Sequence, residues 1–398
     1  MESILTIEQR NNVLLSMARL VNDQQDHILQ ANEKDLKGND QLDIAMYDRL
    51  KVDQEKINGM VLSLEQLAAQ KDPVGIERFH FKHENGLDIY NKTASFGTIM
   101  IIYESRPDVT IEAGGIAFKS GNKILLKGGK ESLNSNLAIV NLWHKALKEN
   151  RVSSDWVTYL NYDREATRAY LKHPKQKIDL IIPRGGEKLI AFVKQHATCP
   201  VIVSGRGNNF VYVAPDADKV KALEIIINAK TDKISACNAL DKVLIDTDLP
   251  GYNDFVHSLV QKLQQHKVQI LGAETMTSLE GIEPVSGDEV WYEEFLDYKI
   301  MLGDVVSSEE AIRMINKYGG GHSASIITEN SREAHAFMSA VDAAAVYHNA
   351  STRFTDGFQL GLGGELAIST DKLHQRGPIG LEHLVTNKWY IYGNGQIR

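Results

Sequence analysis

Cysteine is scarce in this sequence, which has only Cys199 and Cys237 and therefore too few for a disulfide framework. It also has no run of 18 or more consecutive apolar residues, so we expect no membrane-spanning helix. The segment MESILTIEQRNN lacks the basic start and the apolar stretch of a signal peptide. These absences predict a cytoplasmic protein in which any cysteine chemistry uses a thiol in a reducing compartment.

Positive charge does not cluster along the chain. The formal net charge is -8, and acidic and basic residues are mixed over the whole length. A nucleic-acid surface needs clustered Lys and Arg, so we expect no nucleic-acid partner. Repeats, low-complexity tracts and Pro- or Ser-rich linkers are also missing. With 398 residues, 43% of them hydrophobic, the chain can form two or three domains that share an interface without a flexible tether.

The hydrophobic periodicity changes near residue 72. Before this point, residues 7–70 carry apolar side chains at helical spacing, which predicts two or three amphipathic helices. After it, apolar and polar residues alternate on either side of the turn signal at residues 84–86, which predicts a β-hairpin over about residues 79–95. From Gly97 onward, strand-like and helical stretches alternate, as in parallel βαβ units.

This alternation runs through two cycles, so the sequence predicts an α/β fold with two doubly wound, Rossmann-like domains. We expect the first domain at residues 1–229, interrupted by the hairpin and containing the strands DLIIP, PVIVSG and NFVYVAP. The second domain is expected at residues 230–345, opening with a helix that contains Cys237. Residues 346–398 are expected to return to the first domain.

No nucleotide-binding fingerprint is complete in this sequence. The nearest approach to G-x-G-x-x-G lies at residues 205–210 and lacks the third Gly, and the segment after KILLK lacks essential P-loop residues. Lys127 nevertheless follows that strand at the carboxyl edge of a predicted parallel sheet, so it either contacts a phosphate or is simply solvated. Arg184-Gly185-Gly186 opens a helix, where backbone amides suit a phosphate, although an ordinary strand-to-helix turn has the same pattern.

Histidine and cysteine spacing predicts no metal site, because no H-E-x-x-H occurs and neither cysteine lies at zinc-ligand spacing. Cys199, which precedes Pro200, is interpreted as a small buried apolar residue. Cys237 is predicted at a loop-to-helix junction near Lys230 and Lys233, a setting that favours the nucleophilic thiolate. A structural cysteine would fit the same pattern.

Six separated segments carry a specific resemblance. In chain order they are YESRPDVT (103–110), FKSGNKILLKGGKES (118–132), CNAL (237–240), YGGGHSASIIT (318–328), VYHNASTRFTDGFQLGLGGELAIST (346–370) and KLHQRGPIGLEHLVTNKW (372–389). Together they resemble the γ-glutamyl phosphate reductases, a family of the aldehyde dehydrogenase superfamily. That superfamily binds nicotinamide cofactors without G-x-G-x-x-G. The resemblance implies an aldehyde dehydrogenase-like fold, an NADPH-binding first domain and a catalytic second domain.

The resemblance also implies roles for individual residues. Cys237 would be the nucleophile within a catalytic turn that includes Asn238, and Ser105 with the Cys237 backbone N–H would bind the oxyanion. The residues implied at the NADPH/NADP⁺ site are Lys127 and Gly128 at the adenosine ribose or its 2′-phosphate, Arg184, Gly185 and Gly186 beside the cofactor, and Glu294 at the nicotinamide ribose. Arg353, His322 and Ser323 are substrate-site candidates. The alternative for Arg353 is a surface or structural ion pair, and those for the other two are support of the catalytic loop or an ordinary capped helix-strand loop.

The implied reaction is the NADPH-dependent reduction of L-γ-glutamyl 5-phosphate to L-glutamate 5-semialdehyde and phosphate through a Cys237 thioester, the second step of proline biosynthesis from glutamate. An oxidising NAD(P)-dependent aldehyde dehydrogenase is the alternative. Oxidising relatives hydrolyse the thioester with a glutamate near the strand that here reads PVIVSGRGN. This chain has no Asp or Glu between Glu187 and Asp216, which favours reduction.

Two further expectations concern partners. The family usually forms homo-oligomers through the hairpin and the C-terminal segment, which together would form an oligomerisation arm. Functional coupling to a glutamate 5-kinase is expected because that enzyme supplies the substrate. Three departures from the family pattern affect the fine contacts of the site: Met314 replaces a usual His, Gly320 a usual Ser or Thr, and Ala324 a usual acidic residue. Asn208 and Asn209 are also atypical of the family.

Overall fold

The computed structural model describes residues 5–39, 44–276 and 280–398. The chain divides into two compact units. The first unit comprises Met1–Val203, Leu362–Ala367 and Ile379–Arg398, and the second comprises Ser204–Gly361 and Ile368–Pro378.

Four helices begin the first unit: α1 (Ile7–Asp23), α2 (Gln25–Lys37), α3 (Ile44–Leu50) and α4 (Gln54–Ala69). The expectation of two or three helices was therefore wrong in number. It was right in character, because α1 buries its periodic apolar side chains, including Val13 and Met17. Side-chain caps set the starts of two helices: Thr6 forms a capping box with Gln9 at α1, and Asp53 accepts from the Lys56 amide at α4.

The predicted hairpin is confirmed. Strands β1 (Glu77–Lys82) and β2 (Asp88–Ser95) pair antiparallel, and Gly86 takes a positive φ of 91° in the turn between them. The C-terminal strand β16 (Val385–Tyr392) pairs antiparallel with the other edge of β2 and completes a three-stranded sheet. The hairpin and the C-terminal segment thus form one element, as the sequence predicts.

A four-stranded parallel sheet forms the centre of the first unit, in the order β5-β4-β3-β6. Its strands are β3 (Thr98–Tyr103), β4 (Lys123–Lys127), β5 (Val157–Tyr159) and β6 (Leu180–Arg184). The accompanying helices are α5 (Val109–Lys119), α6 (Leu133–Glu149), α7 (Arg164–Lys172) and α8 (Glu187–His196). Because Ile102 pairs with Lys127 and Tyr103 with Arg184, the carboxyl ends of β3, β4 and β6 meet at one edge.

The second unit contains a seven-stranded parallel sheet in the order β10-β9-β11-β8-β7-β12-β13. Its strands are β7 (Asn209–Val213), β8 (Leu240–Asp246), β9 (Gln269–Gly272), β10 (Glu283–Pro284), β11 (Lys299–Val305), β12 (Ser323–Ile327) and β13 (Ala345–His348). Its helices are α9 (Lys219–Thr231), α10 (Tyr252–Gln265), α11 (Glu289–Tyr292), α12 (Ser308–Tyr318) and α13 (Ser331–Ala340). A separate two-stranded sheet consists of β14 (Ala367–Ser369) and β15 (Gly377–Ile379). The chain passes from the first unit to the second within β14, and it returns to the first unit within β15.

The break between the units differs from the one expected at residue 229. It lies between Val203 and Ser204, because β7 pairs with β8 and β12 of the second unit and not with the four-stranded sheet. Residues 200–205, expected as a full strand, form only isolated bridges from Val201 to Ile181 and from Ser204 to Ser369. Residues 346–361 and 368–378 also remain with the second unit, and the chain returns to the first unit at Leu362–Ala367 and again at Ile379. Similar apolar runs fit either sheet, so the sequence pattern could not assign them.

Within the three described ranges, every helix is too short or too polar to cross a membrane. Over the same residues, no three His, Cys, Asp or Glu side chains are grouped so that they could hold a metal ion.

Asp35 gives a test of how the N-terminal helices are attached. Its buried carboxylate accepts from the amides of Asn134 and Ser135 at 3.0 and 2.7 Å, so it joins α2 to the start of α6. We expect Asp35→Ala to lower the free energy of unfolding by about 2 kcal/mol, because a helix cap and its partners lose their hydrogen bonds. Urea denaturation measures this change. Asp26→Ala, at an exposed position of α2, is the control, and an equal loss in both variants would contradict the capping role.

Candidate active site

Cys237 lies in the turn between α9 and β8 and is half-buried. The turn is closed by backbone hydrogen bonds from Ala236 to Lys233 and from Ala239 to Ala236, at 3.1 and 3.0 Å. The predicted loop-to-helix junction is therefore wrong, since a strand and not a helix follows the cysteine. All seven residues of β8 are buried, as expected for a central parallel strand, although Asp241, Lys242 and Asp246 are charged.

The backbone of Cys237 is held by two residues at the start of β7. Asn209 Nδ2 lies 2.7, 2.8 and 2.6 Å from the carbonyl oxygens of Gly207, Cys237 and Ala239. Gly207 packs so closely that a Cβ there would collide with the Cys237 carbonyl. These contacts fix the turn that carries the thiol. A buried Asn gives no distinctive sequence pattern, and the sequence therefore did not predict this role.

Asn238 joins the same turn to the segment after β13. Its buried Nδ2 donates to the carbonyl oxygens of Arg353 and Thr355 at 3.1 and 2.9 Å. In return, Thr352 Oγ1 donates to the Asn238 carbonyl at 2.8 Å. The side-chain amide thus holds backbone groups, which supports a positioning role beside the nucleophile.

Arg353 is brought to the Cys237 turn through this segment. Its Nε donates to Asp232 Oδ2 at 2.9 Å, and Asp232 immediately follows α9. The Arg353 side chain is mostly buried, whereas Asp232 is more than half exposed. The structure therefore shows the ion pair that the sequence left open, in a position next to the catalytic turn.

His322 and Ser323 are buried, with only 1% and 2% of their surfaces exposed. Ser323 Oγ lies 2.7 Å from His322 Nδ1 and 2.7 Å from Thr355 Oγ1, which in turn lies 2.8 Å from the Tyr347 hydroxyl. Burial lowers the pKa of His322 to about 4, so the ring is neutral near pH 7. This buried network holds the start of β12 against the segment that contains Thr355 and Arg353.

Glu294 also lies close to the cysteine turn. Its Oε1 accepts from the Gly207 amide at 3.0 Å, and Gly207 packs against the Cys237 carbonyl. The second unit thus brings Cys237, Asn238, Arg353 and Glu294 into one set of contacting segments.

The remaining site candidates lie in the first unit. Ser105, two residues after the end of β3, is buried and has a positive φ of 40°, which is rare outside glycine. Its backbone N–H and its hydroxyl both donate to Glu131 Oε1 at 2.8 Å. Backbone strain of this kind persists only where the surroundings enforce it, and it clusters at functional sites.

Lys127 and Arg184 stand at the edge where β4 and β6 end beside β3. Burial lowers the pKa of Lys127, whose Nζ donates to the Gly128 carbonyl at 2.6 Å. Gly186 is the N-cap of α8, and its amide donates to Glu104 Oε2 at 3.0 Å. Gly185 has no room for a side chain because a Cβ would meet the same carboxylate.

These groups fit a phosphate-bearing cofactor. Apart from its chain neighbours, no heavy atom lies within 4 Å of the position that a Cβ on Gly186 would take, so the space beside the start of α8 is open, whereas the Gly186 amide itself is paired with Glu104. Amide N–H, ammonium and guanidinium groups at the carboxyl edge of a parallel sheet are suitable donors to phosphate.

The three departures from the family pattern have structural explanations. Met314 and Ala324 belong to one apolar cluster of the second unit, where polar side chains would need buried partners. Gly320 has a positive φ of 67°, a conformation that favours glycine over the usual Ser or Thr. The departures thus concern packing and backbone conformation.

Cys199 shows the features of a packing residue. It is half-buried against the apolar cluster around Ile181 and Val193, and burial raises the pKa of its thiol. A raised thiol pKa disfavours the thiolate, so Cys199 is a poor nucleophile.

Comparison with known proteins identifies the family of this chain. The profile of the aldehyde dehydrogenase family matches residues 3–278 and 300–389. The chain is 41% identical over 399 aligned residues to a γ-glutamyl phosphate reductase of Clostridium botulinum, covering 99% of this chain and 95% of the relative. It is 43% identical to one from Gloeobacter violaceus, covering 98% and 93%.

A solved structure gives the same result for the fold. The γ-glutamyl phosphate reductase of Thermotoga maritima superposes with a TM-score of 0.93 at 39% identity, covering 99% of this chain and 95% of that one. The chain therefore belongs to the aldehyde dehydrogenase family, among its γ-glutamyl phosphate reductases.

Proposed function

We propose that this chain reduces L-γ-glutamyl 5-phosphate to L-glutamate 5-semialdehyde and phosphate, with NADPH as the reductant and Cys237 as the nucleophile. The observation that carries the proposal is Cys237 itself, held in a fixed turn of a chain that aligns over nearly its whole length with γ-glutamyl phosphate reductases. This reaction is the second step of proline synthesis from glutamate.

The first half-reaction forms a thioester. Cys237 loses its thiol proton, and the thiolate attacks the acyl carbon as the carbon–phosphate oxygen bond breaks and phosphate leaves. The proposed oxyanion donors are the Cys237 backbone N–H and the Ser105 hydroxyl. In this structure the hydroxyl donates to Glu131, so it has to turn away from that carboxylate to reach an oxyanion.

The second half-reaction releases the aldehyde. NADPH, when bound, supplies the hydride that the thioester carbon accepts. The C–S bond then breaks, and Cys237 leaves as the semialdehyde forms. Because residues 188–215 contain no Asp or Glu, no carboxylate from this segment activates water against the thioester. That absence favours reduction over the oxidising alternative.

Enzymes of the aldehyde dehydrogenase family use NAD or NADP. We assign Lys127, Gly128, Arg184, Gly185 and Gly186 to the phosphate and adenosine end of the cofactor. The half-buried Lys127 supports the preference for NADPH, since a desolvated ammonium group binds a 2′-phosphate strongly. We assign Glu294 to the nicotinamide ribose, the role that the resemblance to the family implies.

Homo-oligomer formation is a further part of the proposal. The three-stranded sheet exposes an aromatic patch of Phe79, Phe81 and Trp389, which are 49%, 46% and 54% exposed. The rings of Phe79 and Trp389 pack edge to face with their centroids 5.8 Å apart, so the patch is continuous. Exposed apolar patches of this kind mark association surfaces. We also expect the substrate to come from a glutamate 5-kinase, whose acyl phosphate product is labile.

Replacement of Cys237 tests the nucleophile. We expect Cys237→Ser to lower phosphate-dependent NADP⁺ reduction by glutamate 5-semialdehyde on the order of 10³-fold or more, because an alcohol is a much weaker nucleophile than a thiolate. Absorbance at the NADPH band measures the rate. Cys199→Ser is the matched control and should retain wild-type turnover. Wild-type turnover without phosphate would favour an oxidising aldehyde dehydrogenase.

Replacement of Lys127 tests cofactor selection. Lys127→Met should raise the NADPH dissociation constant about tenfold while changing NADH binding little, because only NADPH carries the 2′-phosphate that the ammonium group contacts. Titration of cofactor fluorescence gives both constants. Lys123→Met, at the opposite end of β4, should leave both unchanged. Equal weakening of the two cofactors by Lys127→Met would exclude the 2′-phosphate role.

Charges in the aromatic patch test the association surface. The double variant Phe81→Lys and Trp389→Lys should shift the protein toward monomer, because burying two ammonium groups opposes association. Light scattering during size exclusion measures the mass. Leu373→Lys, at an exposed apolar residue of the second unit, is the control. A monomeric wild type would contradict the proposed association surface. So would a double variant with the same mass as the wild type.

A further inference from the structure

Two lysines and an aspartate are buried beneath the segment that carries Glu294. Lys230 on α9 and Lys242 on β8 have no exposed surface, and Asp241 is almost fully buried. Lys230 Nζ donates to Asp241 Oδ1 at 3.1 Å. Buried charges are costly unless they are paired and hydrogen-bonded, so the contacts of this cluster need an explanation.

Two adjacent residues of β8 hold the backbone on both sides of Glu294. Lys242 Nζ donates to the Glu293 carbonyl at 2.7 Å. Asp241 Oδ2 accepts from the Phe295 amide at 3.0 Å. In an extended chain, the carbonyl of one residue and the amide two residues later point the same way, so both contacts face β8. The residue between these anchors is Glu294.

Lys242 makes a further contact with this segment through its charge. Its Nζ lies 3.7 Å from the centroid of the Phe295 ring, within the range of a cation–π interaction. Burial lowers the pKa of Lys242 to about 7, while Asp241, Glu293 and Glu294 act in the opposite direction and Lys230 adds to the lowering. Burial therefore makes the charged form of Lys242 less favourable than it would be in water.

The segment also needs external support. Leu296 has a positive φ of 50°, which is strained for a branched side chain. On the other side, Glu294 Oε1 accepts from the Gly207 amide. The position of the Glu294 carboxylate is therefore set by the backbone contacts from β8 and by the hydrogen bond from the Gly207 amide.

We propose that Lys242 is a positioning residue that fixes segment 293–295 through the Glu293 carbonyl and the Phe295 ring, and so sets the Glu294 carboxylate for cofactor binding. This inference rests on the proposed function, in which Glu294 binds the nicotinamide ribose. Lys242 itself touches neither substrate nor cofactor in this scheme.

The test measures NADPH binding and backbone protection in the full chain. Lys242→Met should raise the NADPH dissociation constant about tenfold, measured by cofactor fluorescence, because it removes the hydrogen bond to the Glu293 carbonyl. It should also speed hydrogen exchange at the Phe295 amide. Lys299→Met is the matched control, because Lys299 Nζ lies 5.3 Å from the same ring at a less buried position. An unchanged dissociation constant and exchange rate for Lys242→Met would overturn the inference, as would an equal effect of Lys299→Met.

A double variant separates this inference from the proposed function. If Lys242 acts through Glu294, Lys242→Met should weaken binding little further in a Glu294→Gln background. If Glu294→Gln alone leaves NADPH binding unchanged, the ribose role of Glu294 fails, whereas faster exchange in Lys242→Met still supports positioning of the segment. If Glu294→Gln weakens binding and Lys242→Met does not, the positioning role alone is refuted. Should Lys242→Met not fold, Lys242→Gln keeps a polar group that is too short to reach the Glu293 carbonyl.

Discussion

The hydrogen bonds of Asn209 to the Cys237 turn are the constraint on which the rest of the proposed site depends. A thiolate can attack an acyl carbon and later return the product only if its backbone stays in place through both half-reactions. Here one buried amide holds the carbonyls of Gly207, Cys237 and Ala239 together. The turn is consequently attached to the central strands β7 and β8, which are among the most rigid parts of a parallel sheet.

Neighbouring contacts extend this support outward. Asn238 attaches the turn to the segment of Arg353, and the buried Ser323 and Thr355 hydroxyls hold that segment in place. Glu294 joins from the other side through the Gly207 amide. Within the part of the chain that the structure describes, the buried amide oxygens of Asn209 and Asn238 have no hydrogen-bond partner, a cost that proteins usually avoid. Rigid positioning of a nucleophile explains why the fold accepts it here.

In the first unit, the geometry of the parallel sheet brings the proposed cofactor-binding side chains together. Parallel strands end at one edge, so residues distant in sequence, such as Lys127 and Arg184, come to stand on either side of β3. Ser105 occupies the same edge in a strained conformation, held by Glu131. Positive and amide donors there match phosphate groups, which supports the proposed nucleotide site although the usual glycine fingerprint is missing.

The sequence by itself determined the fold class and the hairpin and indicated the proposed chemistry of Cys237, because hydrophobic periodicity, turn residues and six family segments are local properties of the chain. Only the tertiary structure decided that Cys237 precedes a strand, that β7 belongs to the second unit and that His322 is buried and neutral. Similar apolar runs can pair in either sheet, and burial depends on what packs around a residue. Long-range packing also placed Asn209 and Lys242 against the backbone of the site, which no local pattern of residues could indicate.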